Sequence, residues 1–483
     1  MRYACMCILI MAAIAAGGCM KAGPDYVRPD VSFTVPETYE NAISAGQDFQ
    51  DDKWWESFND PVLNEIVPRV VTSNHDIRHA AAAVMEARAL FEQFDADRYP
   101  RVGVAAQASR QRQSFPNPFT GGTLPVESKH FSLSVPASFE IDLWGRLARA
   151  SEAGRAELMA VELNRRTLIH SLIAETVARY LEIRAIEEQI SITEKMVETS
   201  RLHVELVKNR YERGLAPVME LHMAERTLAL AQSRLPALRQ AAGLSEQALS
   251  IMQGEYPVSK NPADRQPYSF EMLDPVPEGL PSALLHRRPD IMAAEASLEA
   301  ASARIGQAKA ARFPRLSLTG AFGYTSDSLA SFFTSQNEIW NIAAEGLQPL
   351  YDAGKLAAGQ RAAEARFEAQ SVAYARTVLA AFGEVEGALF TRQQQIERRI
   401  HLERFLERAE RTEKIAEDRY RRGLIAYSDV LDALQARYQA QMELVEIESA
   451  IYANRVRLHR ALGGGWDHVL NPPHPLHGQK NDH

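Results

Sequence analysis

At 483 residues, 46% hydrophobic and 24% charged, the chain has room for two or three ordinary domains and is too apolar to be disordered. A formal net charge of -8 over that length gives no basic footprint and argues against a nucleic-acid partner. The three cysteines, Cys5, Cys7 and Cys19, all lie at the extreme N-terminus, so disulfide and thiol chemistry elsewhere are excluded.

Arg2, the apolar run 8–16 and the small residues Ala16, Gly17 and Gly18 before Cys19 form a secretory signal over 1–18, too short for a membrane span. Ending on Cys19, it resembles a bacterial lipobox, with Ala16 where the pattern usually has Leu. Cleavage there would expose Cys19 for acylation, a membrane anchor. No later stretch approaches the roughly 20 apolar residues of a membrane helix, so any crossing must be made by strands.

The chain is written twice. Arg98-Tyr99-Pro100-Arg101-Val102 returns as Arg312-Phe313-Pro314-Arg315-Leu316, 214 positions on. Trp144-Gly145-Arg146-Leu147 returns as Ala353-Gly354-Lys355-Leu356, and Arg210-Tyr211-Glu212-Arg213-Gly214-Leu215 as Arg419-Tyr420-Arg421-Arg422-Gly423-Leu424, both 209 on. Three matches in one order at nearly one offset define two copies of one unit, 61–253 and 281–462. Residues 19–60, 254–280 and 463–483 flank them.

Each copy reads as helix, two strands and two long helices. Residues 76–98 are Ala-rich and helical, ending before Pro100. Strands follow at about 101–112, where Val102, Val104, Ala106 and Ala108 alternate with polar or small residues, and at 130–139. There Phe131, Leu133, Val135, Ala137 and Phe139 face one side and His130, Ser132, Ser134 and Ser138 the other, the period of two that marks a strand. The second copy repeats this at 315–325, with a less regular run at 339–348. Helices of 144–213 and 217–253, then 354–422 and 428–462, complete the copies. Seventy helical residues would span on the order of 100 Å. Ile183, Ile190, Val197, Val204 and Tyr211, and again Leu431, Tyr438, Val445 and Tyr452, recur every seven residues as in a coiled coil.

Four alternating strands cannot close a barrel alone, and open edges are not tolerated in lipid. Two, three or four copies would give 8, 12 or 16 strands around a lumen lined by Ser, Thr, Gln and Gly. A small soluble sheet capping a coiled coil is the competing reading of the same alternation.

The motifs as a set resemble the TolC-like outer membrane factors, in particular the lipoprotein branch serving resistance-nodulation-division efflux pumps. The carriers are Gly23-Pro24-Asp25-Tyr26-Val27-Arg28-Pro29, Trp54-Trp55-Glu56-Ser57-Phe58-Asn59-Asp60-Pro61-Val62-Leu63, Leu284-Leu285-His286-Arg287-Arg288-Pro289-Asp290-Ile291 with Ala294-Glu295, and Arg419-Tyr420 with Gly423, Ser428-Asp429-Val430-Leu431 and Ala433. The resemblance implies an α+β membrane protein whose trimer forms a 12-stranded β-barrel continued by a periplasmic α-helical barrel. It implies no enzyme and no cofactor, but an efflux duct for small molecules such as drugs, whose partners are a periplasmic adaptor and an inner-membrane transporter. The alternatives are a type I protein-secretion duct and a lipid-anchored coiled-coil adaptor.

The residues themselves show no catalytic constellation. His75 and His79 lie one helical turn apart but lack a third metal ligand and read as a solvated helix face. The resemblance assigns the helix-joining turns to a narrowed periplasmic mouth and to adaptor docking. Asp418, Arg419, Tyr420, Arg421 and Arg422 are candidates for the aperture, and neutralising Arg421 with Arg422 is expected to raise conductance. Gly214, Leu215, Gly423, Leu424, Ser428 and Asp429 are candidates for docking. Gly214 and Gly423 fit left-handed helix C-caps and Ser428 an N-cap. Pro217-Val218-Met219-Glu220 breaks the likeness of the first turn to the second.

Overall fold

A computed structural model describes residues 21–29, 33–41, 53–116, 121–259, 270, 273–277, 279 and 281–464. The signal segment, Cys19 and the tail beyond 464 lie outside the described residues. A short 3-10 turn, Trp54–Phe58, precedes α1 (Pro61–Ser73) and α2 (His75–Ala96). Then come β1 (Arg101–Val102), β2 (Ala105–Pro116), β3 (Thr123–Ile141), α3 (Arg146–Glu212) and α4 (Val218–Met252). The second copy gives α5 (Leu284–Arg287), α6 (Pro289–Ala310), β4 (Arg315–Ser326), β5 (Glu338–Leu347), α7 (Lys355–Arg421) and α8 (Tyr427–Ala461).

The repeat holds in the backbone residue for residue. α3 and α7 each have 67 residues, α4 and α8 each 35, and all four ends correspond at the 209-residue offset. The left-handed glycines correspond too, Gly145 with Gly354, Gly214 with Gly423 and Gly254 with Gly463.

Two compact units emerge. One comprises residues 1–30, 83–162 and 293–374, the other 31–82, 163–292 and 375–483. In the first, β2, β3, β4 and β5 form an antiparallel sheet in that order, with β1 also on β3. β1 and β2 share one register against β3, from Arg101 opposite Ser138 to Pro116 opposite Thr123. They are one strand interrupted opposite Pro136, which has no N–H to give the ladder. β3 runs seven residues beyond the expected start at 130, because pairing with β2 continues where the apolar alternation stops.

Register puts the apolar residues on one face. Leu133 lies opposite Tyr324, Val135 opposite Phe322, Phe139 opposite Leu318 and Ile141 opposite Leu316. Trp340 then stands opposite Phe322 and Ile342 opposite Gly320, both highly exposed. β5 reads irregularly because its other face also carries Ile339, Ala343 and Leu347. No described helix is long and apolar enough to cross a membrane.

β3 and β4 approach very closely at Gly323. A Cβ built there would lie 2.1 Å from the Leu133 carbonyl oxygen and 2.6 Å from Ser134 Cα, which is backbone that cannot step aside. Gly323→Val is therefore expected to separate the two hairpins, seen as a lower melting temperature of the purified protein. An unchanged melt would contradict this pairing.

The Gly23 segment is bound in this unit by ions. Arg149 donates to Asp25 at 2.8 Å, and Arg28 gives Nε to Glu295 at 2.6 Å. In the second unit the Trp54 turn is core, Trp54, Trp55 and Phe58 being 0%, 2% and 4% exposed. Asp60 caps α1 by accepting from Val62 N at 2.9 Å and takes the Tyr180 hydroxyl on its other oxygen at 2.6 Å. Of the heptad residues, Ile183, Ile190, Val197, Leu431, Tyr438, Val445 and Tyr452 are buried and Val204 is half-buried, but Tyr211, at the end of the first stripe, is exposed.

Candidate functional site: the helix-joining turns

The two turns close alike. α3 and α7 are each followed by a glycine of positive φ, 71° at Gly214 and 75° at Gly423. Leu215 N–H returns to the Arg210 carbonyl and Gly214 N–H to Tyr211, each at 2.8 Å; Leu424 to Arg419 and Gly423 to Tyr420 do the same at 2.9 Å. These paired bonds satisfy the last carbonyls and favour glycine, which tolerates the left-handed backbone.

Ser428 does not hold the cap expected of it. α8 begins one residue earlier, at Tyr427, and Ala426 occupies the cap position with no side-chain bond. Tyr427 explains the shift, since its ring is buried in the core beneath the turn with Val207, Ala224, Tyr420, Val430 and Leu431. Asp429 lies in the first turn of α8, and Glu220, its counterpart in the repeat, in the first turn of α4.

The counterparts Tyr211 and Tyr420 diverge. Tyr211 is 43% exposed and Tyr420 only 3%. The Tyr420 hydroxyl donates to Glu220 Oε2 at 2.7 Å. The Arg210 guanidinium sits 4.7 Å over its ring and gives Nη1 to the Arg421 carbonyl at 3.3 Å. Two side chains thus tie the second turn to the first. Burial, then the bond to Glu220, pushes the Tyr420 hydroxyl far above the usual phenol range, so it stays a donor. Deeper in, His203 Nε2 lies 3.0 Å from Glu417 Oε1, and Tyr427 Oη lies 3.4 Å from His203 Nδ1.

Arg421 and Arg422 pair with acids in the last turn of α7. Arg422 meets Asp418 at 2.9 Å and Arg421 meets Glu417 at 3.9 Å, both as i,i+4 pairs with exposed arginines. Arg419 supplies its carbonyl to the turn and leaves its side chain exposed. Leu215, Leu424 and, beside them, Val218 and Met219 expose large apolar side chains. Sequence reasoning missed Glu220, Arg210 and His203; a first-turn acid matching Asp429 was the available signal for Glu220. His75 and His79 are exposed on α2, and the described residues hold no group of three or more His, Cys, Asp or Glu side chains placed for a metal.

Residues 67–255 and 280–464 match the outer membrane efflux protein family. The chain belongs to that family. It is 31% identical over 96% of its length to the cation efflux system protein CusC of Escherichia coli O6:H1, covering 99% of that protein. It is likewise 31% identical over 96% of its length to the pyoverdine export outer membrane protein OpmQ of Pseudomonas putida, covering 98% of it. The solved outer-membrane channel OprN superposes with a TM-score of 0.85 at 30% identity, over 92% of this chain and 99% of that one. The open state of the Neisseria gonorrhoeae MtrE outer membrane channel gives 0.80 at 28%, over 92% and 98%. As an outer membrane efflux protein, the chain is an outer-membrane channel serving an efflux pump. The soluble-sheet reading of its strands falls with that assignment.

Proposed function

We propose that the protein is a passive, trimeric exit duct, anchored through acylated Cys19 and closed at its helix-joining turns by the Tyr420–Glu220 clasp. The observation that carries this reading is the sheet of the first unit, apolar on one face, where Val135, Leu318, Phe322, Trp340 and Ile342 are exposed, and, among the described residues, unpaired along the outer edges of β2 and β5. Unpaired edges in lipid must find partners, and three copies of a four-stranded sheet close a 12-stranded barrel. The opposite face offers Gln107, Ser109, Ser132, Ser134, Ser138, Ser317 and Thr319, a wet lining.

The chain has no energy source of its own. An inner-membrane transporter drives the cargo and a periplasmic adaptor joins the two, seating on the exposed apolar turn residues Leu215, Val218, Met219 and Leu424. Relatives named for cation, pyoverdine, solvent and toluene efflux favour small cargo over secreted protein. Asp418, Arg419, Arg421 and Arg422 supply the exposed charge of the mouth, repeated by the threefold axis.

Opening requires the second turn to leave the first, which breaks the bond from Tyr420 to Glu220. A hydrogen bond to a carboxylate is worth about 1.5–3 kcal/mol, less when partly exposed as here, so its loss shifts opening by roughly tenfold per protomer. Tyr420→Phe and Glu220→Met, the second of similar length but without an acceptor, each reconstituted as trimer in planar bilayers, are expected to raise single-channel conductance well above wild type. Neutralising Arg421 and Arg422 is expected to raise it less, since their partners lie in the same helix. Wild-type conductance in both clasp variants would remove the clasp, and a protein that never inserts would remove the duct.

A further inference from the structure

The apolar face of the sheet ends abruptly at its hairpin end. Along β3 it runs from Ile141 to Phe131, roughly 34 Å of strand, which at a barrel tilt of about 40° covers on the order of 25 Å of membrane depth. Toward that end, one row inside Phe131, Tyr324 stands opposite Leu133 and meets Phe333 of the β4–β5 connection in edge contact at 5.4 Å. Such aromatics mark the lipid–water interface.

One register step beyond Phe131, the same face turns basic. Ala108 stands opposite Phe131, and the next pair facing the same way is Arg110 opposite Lys129, followed by Arg112 opposite Glu127. Like charges directly across a strand pair repel, so Arg110 beside Lys129 is unfavourable without an anion between them. Glu127 compensates in part, at 2.8 Å from Arg110 and 4.0 Å from Arg112. Three cations against one carboxylate leave the hairpin short of negative charge, and both arginines are about two-thirds exposed. On this face of the described strands the other acid is Glu338 of β5, level with Leu133 and two rows inside Lys129.

We infer that Arg110, Arg112 and Lys129 form a seat for the phosphate groups of lipid headgroups in the outer leaflet. The cluster lies roughly 5 Å outside the apolar band, at headgroup depth, and continues the lipid-facing side of the same strands. Guanidinium forks suit phosphate oxygens, and the fixed spacing of a strand pair holds two forks and an ammonium around one anion. The inference rests on the barrel reading of the sheet.

The test uses the full acylated trimer in detergent, incubated with lipid A or with dephosphorylated lipid A and read by native mass spectrometry. Wild type is expected to retain lipid A and to release the dephosphorylated form. Arg110→Gln/Arg112→Gln/Lys129→Gln is expected to retain at least about tenfold less lipid A, as the loss of charge-assisted bonds requires. Glu127→Gln, which removes the competing carboxylate, is expected to retain severalfold more. Equal retention of lipid A by wild type and the triple variant, or of both lipids by wild type, would overturn the seat. Single-channel conductance is measured on the same samples. A conducting triple variant with wild-type lipid retention sinks the seat alone, whereas loss of conductance in wild type sinks the barrel.

Discussion

Arg288→Met is expected to cost about 3–5 kcal/mol of stability, the range for removing one partner from a buried ionic cluster. Arg288 is 8% exposed and forks onto both Asp290 oxygens, at 3.0 and 2.7 Å. Its Nη1 donates to Glu384 of α7 at 2.7 Å and to the Ala461 carbonyl at the end of α8 at 3.2 Å. One guanidinium therefore joins the start of α6 to two long helices of the same unit. Methionine fills much of the volume but abandons two carboxylates and a helix-end carbonyl. Lower thermal unfolding of the solubilised protein, with Arg288→Lys intermediate, is the expected reading; a wild-type melt in Arg288→Met would show the cluster to be dispensable.

The acid arm of this cluster has a definite sign. Burial alone would raise the Asp290 pKa, but its bonds to Arg288 outweigh burial and hold it below the usual carboxylate value. A depressed folded pKa stabilises above the unfolded value, so this contribution is lost as pH falls below about 4. Arg288→Met should remove that dependence along with the stability.

Mild acid should strike elsewhere first. His170, buried in the second unit, is lowered from 6.5 to about 4, chiefly by burial and then by Arg288 and Arg460 against the opposing Gly464 backbone and Asp290. His459, stacked on Trp54 at 4.9 Å, is also lowered, by burial and by Arg455 and His170. A histidine kept neutral by the fold binds fewer protons folded than unfolded between these values. Its stabilisation is complete above pH 6.5 and is lost as pH falls toward 4, about 3 kcal/mol for His170 alone. Melting temperature should therefore drop between pH 7 and pH 5 in wild type and drop less in His170→Asn. Parallel pH curves for the two proteins would show that His170 does not carry the effect.

Much of this architecture could be read from residues alone, for local reasons. Period-two alternation from Phe131 to Phe139 and the Gly214 and Gly423 punctuation both depend on near neighbours. The heptad stripes, Tyr211 excepted, mark buried faces of α3 and α8 because neighbouring turns of one helix report on each other. What escaped depends on distant partners. Arg288 stands in the motif Leu284-Leu285-His286-Arg287-Arg288-Pro289-Asp290-Ile291, yet Glu384 and Ala461 lie far along the chain. Arg419-Tyr420 and Arg210-Tyr211 look interchangeable as text, and only packing buries one tyrosine and exposes the other. Ser428 looked like a cap because its chemistry suits one; the neighbouring Tyr427 ring, seeking the core, moved the helix start past it.

The matched lengths of α3 and α7 limit how this gene can change. Inserting or deleting one residue within a helix turns everything beyond it by roughly 100°, which would swing a buried stripe out of its seam. The two halves have accordingly diverged by substitution inside their 67-residue helices. The hairpins tolerate more, and the stretch from Arg101 to Arg146 has outgrown the one from Arg315 to Lys355. Length variation among descendants of this duplication should collect at the outward loops, where new surface can be tried without disturbing the frame.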